Sequence, residues 1–142
     1  MDLHGRLPDP GVIRRVNERF YELVFDHPWL SRFFEGVDQE HITSQQTDFM
    51  TGAFGGPRNF SGRPPSHAHP HLFITDEVFD LRRDLLTRAL AEAQAPEELR
   101  EAWLRVDEAF RAAIVKGAVS DCSGRWRNDR IVVVPDPRRR SA

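Results

Sequence analysis

The chain has 142 residues, 39% hydrophobic and 30% charged, with a formal net charge of −2, the balance of one globular domain large enough to bury a core. This near-neutral charge speaks against a nucleic-acid partner, and no apolar run approaches the roughly 20 residues that a membrane helix needs. The first residues, MDLHGRLPDPG, lack the apolar stretch of a secretory signal, and a lone Cys122 allows no intramolecular disulfide, so a reducing, cytoplasmic setting is expected.

In chain order, Asp9-Pro10 predicts a helix start, with a capping side chain followed by proline at the first helical position. Ile13, Val16, Phe20, Leu23 and Val24 recur at helical spacing until His27-Pro28 ends the pattern. A short turn carries Leu30, Phe33 and Phe34 on one side and closes at Gly36. Asp38 is placed to cap the next long helix, whose inward stripe reads Ile42, Gln45, Gln46, Phe49, Met50 and Ala53. Residues 55–65 hold three Gly and three Pro and read as a loop. Ser66 then caps a brief turn through HAHPHL. Thr75 or Asp76 opens a helix with Val78, Phe79, Leu85, Leu86, Ala89, Leu90 and Ala93. Pro96 starts another, with Glu97 and Glu98 where the helix dipole favours acids. Its apolar face is Leu99, Trp103, Val106, Phe110 and Ala113, and Lys116-Gly117 ends it. Lys116 is the only lysine among the 20 basic residues. The run IVVV, 131–134, is strand-like. There is no internal repeat, so the expectation is an all-α domain over 1–117 and an extension over 118–142, irregular or carrying one short strand.

Two stripes contain polar residues where packing asks for apolar ones. Gln45 and Gln46 fall between Ile42 and Phe49, and Arg82 and Arg83 between Phe79 and Leu86. Burying an unpartnered amide costs about 2 kcal/mol or more, and a charge costs more still. Either something polar sits inside, or the helices are rotated so that these groups reach a solvated edge, which arginine does easily. His67, His69 and His71 alternate just after the Gly/Pro loop. Imidazole is a common ligand for iron, zinc and copper, but no Cys, Asp or Glu completes a zinc site at a known spacing. A metal site on these three histidines and an ordinary His-rich loop both remain open at this point.

The ordered set of residues resembles the truncated haemoglobins, the small two-over-two globins. It runs from Phe20-Tyr21 through Phe33-Phe34, Gln46 with Phe49, Phe54-Gly55-Gly56, Gly62-Arg63, Ala68-His69 with Leu72, and Ile74-Thr75-Asp76 to Phe79-Asp80. The intervals from Tyr21 to Phe34, Gln46 and His69 align without a gap, most closely with group 1 though with mixed features. The resemblance implies haem b, with His69 as the iron ligand and its second ring nitrogen donating to a nearby carbonyl. It implies that Phe34, Ile42, Phe49, Arg63, Leu72 and Phe79 surround the cofactor, Phe34 lying flat on the porphyrin. On the distal side, Tyr21 is similar to the tyrosine that donates to bound dioxygen and Gln46 to the glutamine supporting it. Gln45 and Arg82 are the further distal candidates. Phe49 is similar to a gate residue on a ligand tunnel in some relatives, though plain core packing is the preferred account of it.

Departures from the pattern bear on the chemistry. The Gly-Gly near the first helix junction is replaced by residues 8–11. Ile42 stands where many relatives are polar, and Gln45 where some have an iron-binding histidine, for which His41 should face the wrong way. Pro70 follows His69 as in a second subgroup. Arg82 occupies a position normally apolar or tryptophan, from which it could hold an anion such as nitrite or reach a haem propionate. The expected function is binding of dioxygen and other small ligands such as NO, in sensing or NO detoxification. NO dioxygenation would need an unidentified external reductase, and the protein is expected to be a monomer or weak homodimer. The alternative is a haem-free globin-fold sensor or interaction module.

Overall fold

The computed structural model describes residues 2–60 and 68–138. Within them lie α1 (Val12–Asp26), α2 (Gln39–Ala53), α3 (Asp76–Glu92), α4 (Glu97–Ala109) and a short α5 (Arg111–Ile114), with 3-10 turns at His4–Arg6, Leu30–Phe34 and Val119–Asp121. Among the described residues there is no strand, only isolated parallel bridges between Leu72 and Val132 and between Ile74 and Val115. α1 packs on both α2 and α3, and α3 on α4. This all-α arrangement is globin-like, two helix pairs stacked one over the other. No described helix is long and apolar enough to cross a membrane.

The local signals act where the sequence places them, with small offsets. Asp9 Oδ1 accepts from the Gly11 N–H at 3.0 Å and its carboxylate holds Arg15 at 2.7 Å, but the helix proper begins at Val12. Ile13, Val16, Phe20 and Val24 are buried, together with Asn17 and Tyr21 on the same face, whereas Leu23 is half-buried. After Pro28 breaks α1, the His27 ring accepts from the Trp29 and Leu30 N–H groups at 3.1 Å each, turning the chain tightly toward α2. Asp38 caps α2 through the His41 N–H at 2.8 Å, and Thr75 caps α3 through that of Val78 at 3.2 Å. At the end of α3, Gln94 takes a left-handed φ of 57° that lets the Ala95 N–H reach Leu90 O, and α4 then starts after Pro96.

The inward stripe of α2 is corrected. Its buried residues are Thr43 and Met50, and Ala53 is exposed. The hydroxyls of Thr43, Thr47 and Thr51 each donate to the carbonyl four residues back, at 2.7, 2.8 and 2.6 Å. Asn17 of α1 donates to Thr47 Oγ1 at 3.2 Å. Threonine that satisfies its own hydroxyl in this way can face another helix, so α2 has a threonine seam toward α1 and a second inner face bearing Ile42, Gln46, Phe49 and Met50.

The end of α2 also organises the N-terminal segment. Gly55 has φ +92°, and a Cβ on Gly56 would come within 2.7 Å of Thr51 Cγ2 and 2.8 Å of the His4 ring. This close approach lets the His4 N–H donate to Phe54 O at 2.8 Å and buries Leu3 to 1% exposure, a docking that the sequence pattern did not anticipate. Replacing the Asp38 cap, Asp38→Ala, is expected to cost about 1 kcal/mol. That lowers the melting temperature by roughly 2–8 °C, read by thermal circular dichroism.

Candidate functional site

The four long helices and the segment 68–74 enclose a cavity of about 170 Å³. α1 contributes Asn17, Phe20, Tyr21 and Val24; α2 contributes Ile42, Gln46, Phe49 and Met50; α3 contributes Arg82; α4 contributes Trp103 and Asp107; the 68–74 segment contributes His69, Leu72 and Ile74. Phe34 lies on the wall from the turn before α2. Tyr21, Phe34, Ile42, Gln46, Phe49, His69, Leu72 and Arg82 therefore share one cavity.

Two sequence candidates are placed otherwise. Gln45 is half-buried and off the cavity wall. Phe79 is fully buried and also off the wall; its ring lies beneath two guanidinium carbons, Arg82 at 5.2 Å and Arg111 at 4.4 Å, a cation–ring stack. Arg63 and His67 fall outside the described residues. His41 is exposed, and His71 is buried away from the cavity, so His69 and His71 do not converge on one ion. Among the described residues no group of three His, Cys, Asp or Glu could hold a metal. A single imidazole on a wall that is mostly apolar and aromatic suits a metal that brings its own equatorial ligands, as iron in a porphyrin does. The donor set thus fits haem with His69 as the one protein ligand.

Tyr21, the chain's only tyrosine, is 6% exposed and set edge-on to Phe20, Phe25 and Phe34 at centroid distances of 4.9, 6.4 and 6.1 Å. Burial pushes its hydroxyl well above the ordinary value of 10.0; Arg82 opposes this weakly and Asp107 adds to it. The hydroxyl is thus a neutral donor over the whole physiological range. It has no hydrogen bond to Gln46; the two share the cavity and are not otherwise joined.

Asp107 is a charged residue of the cavity wall that the sequence reading missed. It is 8% exposed and holds Arg82 with a two-point pair, Oδ1 to Nη2 at 2.7 Å and Oδ2 to Nη1 at 3.1 Å. The Arg82 side chain is 31% accessible and lines the cavity. Burial works against the guanidinium's charge, and the Asp107 carboxylate more than compensates, holding it above the usual arginine value. Arg82 also lies 5.4 Å over the Phe20 ring. It lines the cavity, with Nη1 and Nη2 each engaged by the Asp107 carboxylate. A signal was present: Asp107 follows Trp103 by one helical turn, on the face turned toward α3.

Removing one partner of this pair strands the other in the cavity. Asp107→Ala should cost about 3 kcal/mol, and Arg82→Met with Asp107→Leu should recover most of it; urea denaturation of the three proteins measures both. The lone tyrosine makes a second test clean. Its burial contributes stability that is complete below pH 10.0, the ordinary tyrosine value, and that is lost as pH rises through the elevated native value. Tyrosinate absorbance should accordingly be absent at pH 10.0 and emerge only with the loss of helical circular dichroism.

Comparison with known proteins agrees with this geometry. The bacterial-like globin family model matches residues 9–116. The group 1 truncated haemoglobin GlbN of Synechocystis sp. is 34% identical over 101 residues, 68% of this chain and 82% of that protein. That of Tetrahymena pyriformis is 34% identical over 90 residues, covering 63% and 74%. Among solved structures, the Fe(III) form of the Tetrahymena pyriformis protein superposes with a TM-score of 0.72 at 25% identity, covering 81% of this chain and 98% of that one. The haemoglobin of Chloroflexus aurantiacus gives 0.72 at 26% identity, covering 82% and 99%. The chain belongs to the bacterial-like globins and is a truncated haemoglobin, a haem protein that binds small ligands.

Proposed function

We propose that the protein holds haem b through His69 and binds dioxygen reversibly, with NO as the reaction partner. The observation that carries this reading is the Tyr21 hydroxyl, neutral and without a protein partner among the described residues, on the same cavity as His69. When bound, haem supplies reversible dioxygen binding and one-electron chemistry. The protein's part is to hold and orient. His69 offers the imidazole. Tyr21 offers a proton toward the cavity, and Gln46 offers a second donor from the facing wall of α2. Ile42, Phe49 and Leu72 keep the surroundings dry, which strengthens each donor because water does not compete for it.

The paired state of Arg82 favours a neutral diatomic ligand over nitrite, since Asp107 already cancels the only cation on the described wall. NO dioxygenation, in which NO, O2 and one electron give nitrate, calls for an external reductase. Monomer or weak homodimer and a cytoplasmic setting remain part of this reading.

Purified protein should take up haem stoichiometrically and show a Soret band that is lost or displaced in His69→Ala. Tyr21→Phe should raise the dioxygen dissociation rate roughly tenfold, the worth of one good hydrogen bond, in stopped-flow measurements. Absence of haem uptake by the wild-type chain would sink the reading.

A further inference from the structure

The backbone of residues 69–74 is tied at four of its six carbonyls to chain that follows α5. Lys116 Nζ donates to His69 O at 2.5 Å. The Ser123 N–H donates to Pro70 O and the Val132 N–H to His71 O, each at 2.8 Å. The Phe73 N–H donates back to Val132 O, and the Lys116 N–H donates to Ile74 O, each at 2.9 Å. Within the segment, the Leu72 N–H closes on His69 O and the Ile74 N–H on Leu72 O. Lys116 therefore grips both ends of the segment, with its ammonium at His69 and its amide at Ile74. The parallel bridges of Leu72 with Val132 and Ile74 with Val115 are the outcome.

The far end of this strap is anchored as well. The Trp29 indole N–H donates to Val134 O at 2.8 Å, and Arg138 lies 5.4 Å over the same indole. The strap covers His71, which is 7% exposed with its Nδ1 buried and without a partner. Arg125 and Asp129, paired at 2.9 Å, are the charged groups that bear on that ring together with Lys116. Most of these residues lie beyond the matched family region, which ends at 116.

We infer that residues 116–134 form a proximal strap that fixes the His69 imidazole, with Lys116 as its principal positioning residue. This rests on the reading of His69 as the iron ligand. A short irregular segment holding a metal-bound side chain normally relies on hydrogen bonds of its own to set ring orientation. Here the main chain carrying His69 is held by a charge-assisted bond at the ligand's own carbonyl and by amides at Pro70, His71 and Ile74, so ring position is set from behind.

The test compares full-length wild type, Lys116→Met, Lys116→Arg and Val132→Pro, the last removing the N–H that reaches His71. Amide exchange is read at Leu72, Phe73 and Ile74. The ferrous iron–histidine stretching band is read by resonance Raman, and haem loss by transfer to an excess of apomyoglobin. Lys116→Met and Val132→Pro should speed exchange at these three amides while α3 and α4 stay protected. They should also shift or broaden the iron–histidine band and speed haem loss roughly tenfold, the worth of one charge-assisted bond. Lys116→Arg, which keeps a cationic donor, should restore the band. Unchanged band and haem loss in both disrupting variants overturn the inference. If wild type takes up no haem, the haem reading fails separately; the strap then stands on faster exchange in the variants and falls if protection is unaltered.

Discussion

The constraint on which the molecule depends is that α1 must serve two neighbours with one inner face. Its apolar positions Ile13, Val16, Phe20 and Val24 are consumed in packing against α2 and α3, and burial of each such side chain is worth about 1.5–3 kcal/mol. The polar residues on that face, Asn17 and Tyr21, cannot escape to water. Asn17 is satisfied by Thr47 across the seam to α2, whereas the Tyr21 hydroxyl opens on the cavity. The site is the remainder left when a helix is packed on two sides and its last polar group is given space instead of a partner.

The same economy governs the charges. Arg82 and Asp107 reach each other from α3 and α4, and their charges act on Tyr21 in opposite senses. Buried pairs of this kind seldom stabilise a fold relative to apolar residues of equal size, and this one lines the cavity, where its dipole is fixed before any ligand arrives. Phe20 and Phe79 flank the guanidinium, and Phe79 is shared with Arg111. Arg111 in turn ties α3 to α5 through Asp76 and Asp80 at 2.9 and 2.6 Å. One buried ring thus links the cavity's charge to the surface network beside it.

What could be read from the sequence was what is local. Asp38, Thr75 and Pro96 announce helix starts because a cap acts within a turn of its own position. The ordered intervals linking Tyr21, Phe34, Gln46 and His69 carry the family, and the structure brings those four to one cavity. The threonine seam of α2 was hidden because threonine counts as polar in a hydrophobic pattern, although its hydroxyl can be spent on its own helix. Asp107 was hidden because its partner lies 25 residues away. The N-terminal turn and the strap were hidden for a third reason. They dock largely through backbone N–H and C=O groups, which every residue carries and no side-chain pattern reveals.

The strap also bears on the order in which the molecule is made. Lys116 follows His69 by 47 residues, and the indole of Trp29 waits for a carbonyl 105 residues later. The helices assemble from near neighbours, but these closures are long loops that cost chain entropy before they give anything back. A nascent chain can therefore hold most of its helical body while the segment bearing His69 is still unfastened. The segment bearing His69 is fastened only once residues 116–134 have been made, when the helical body around it already exists.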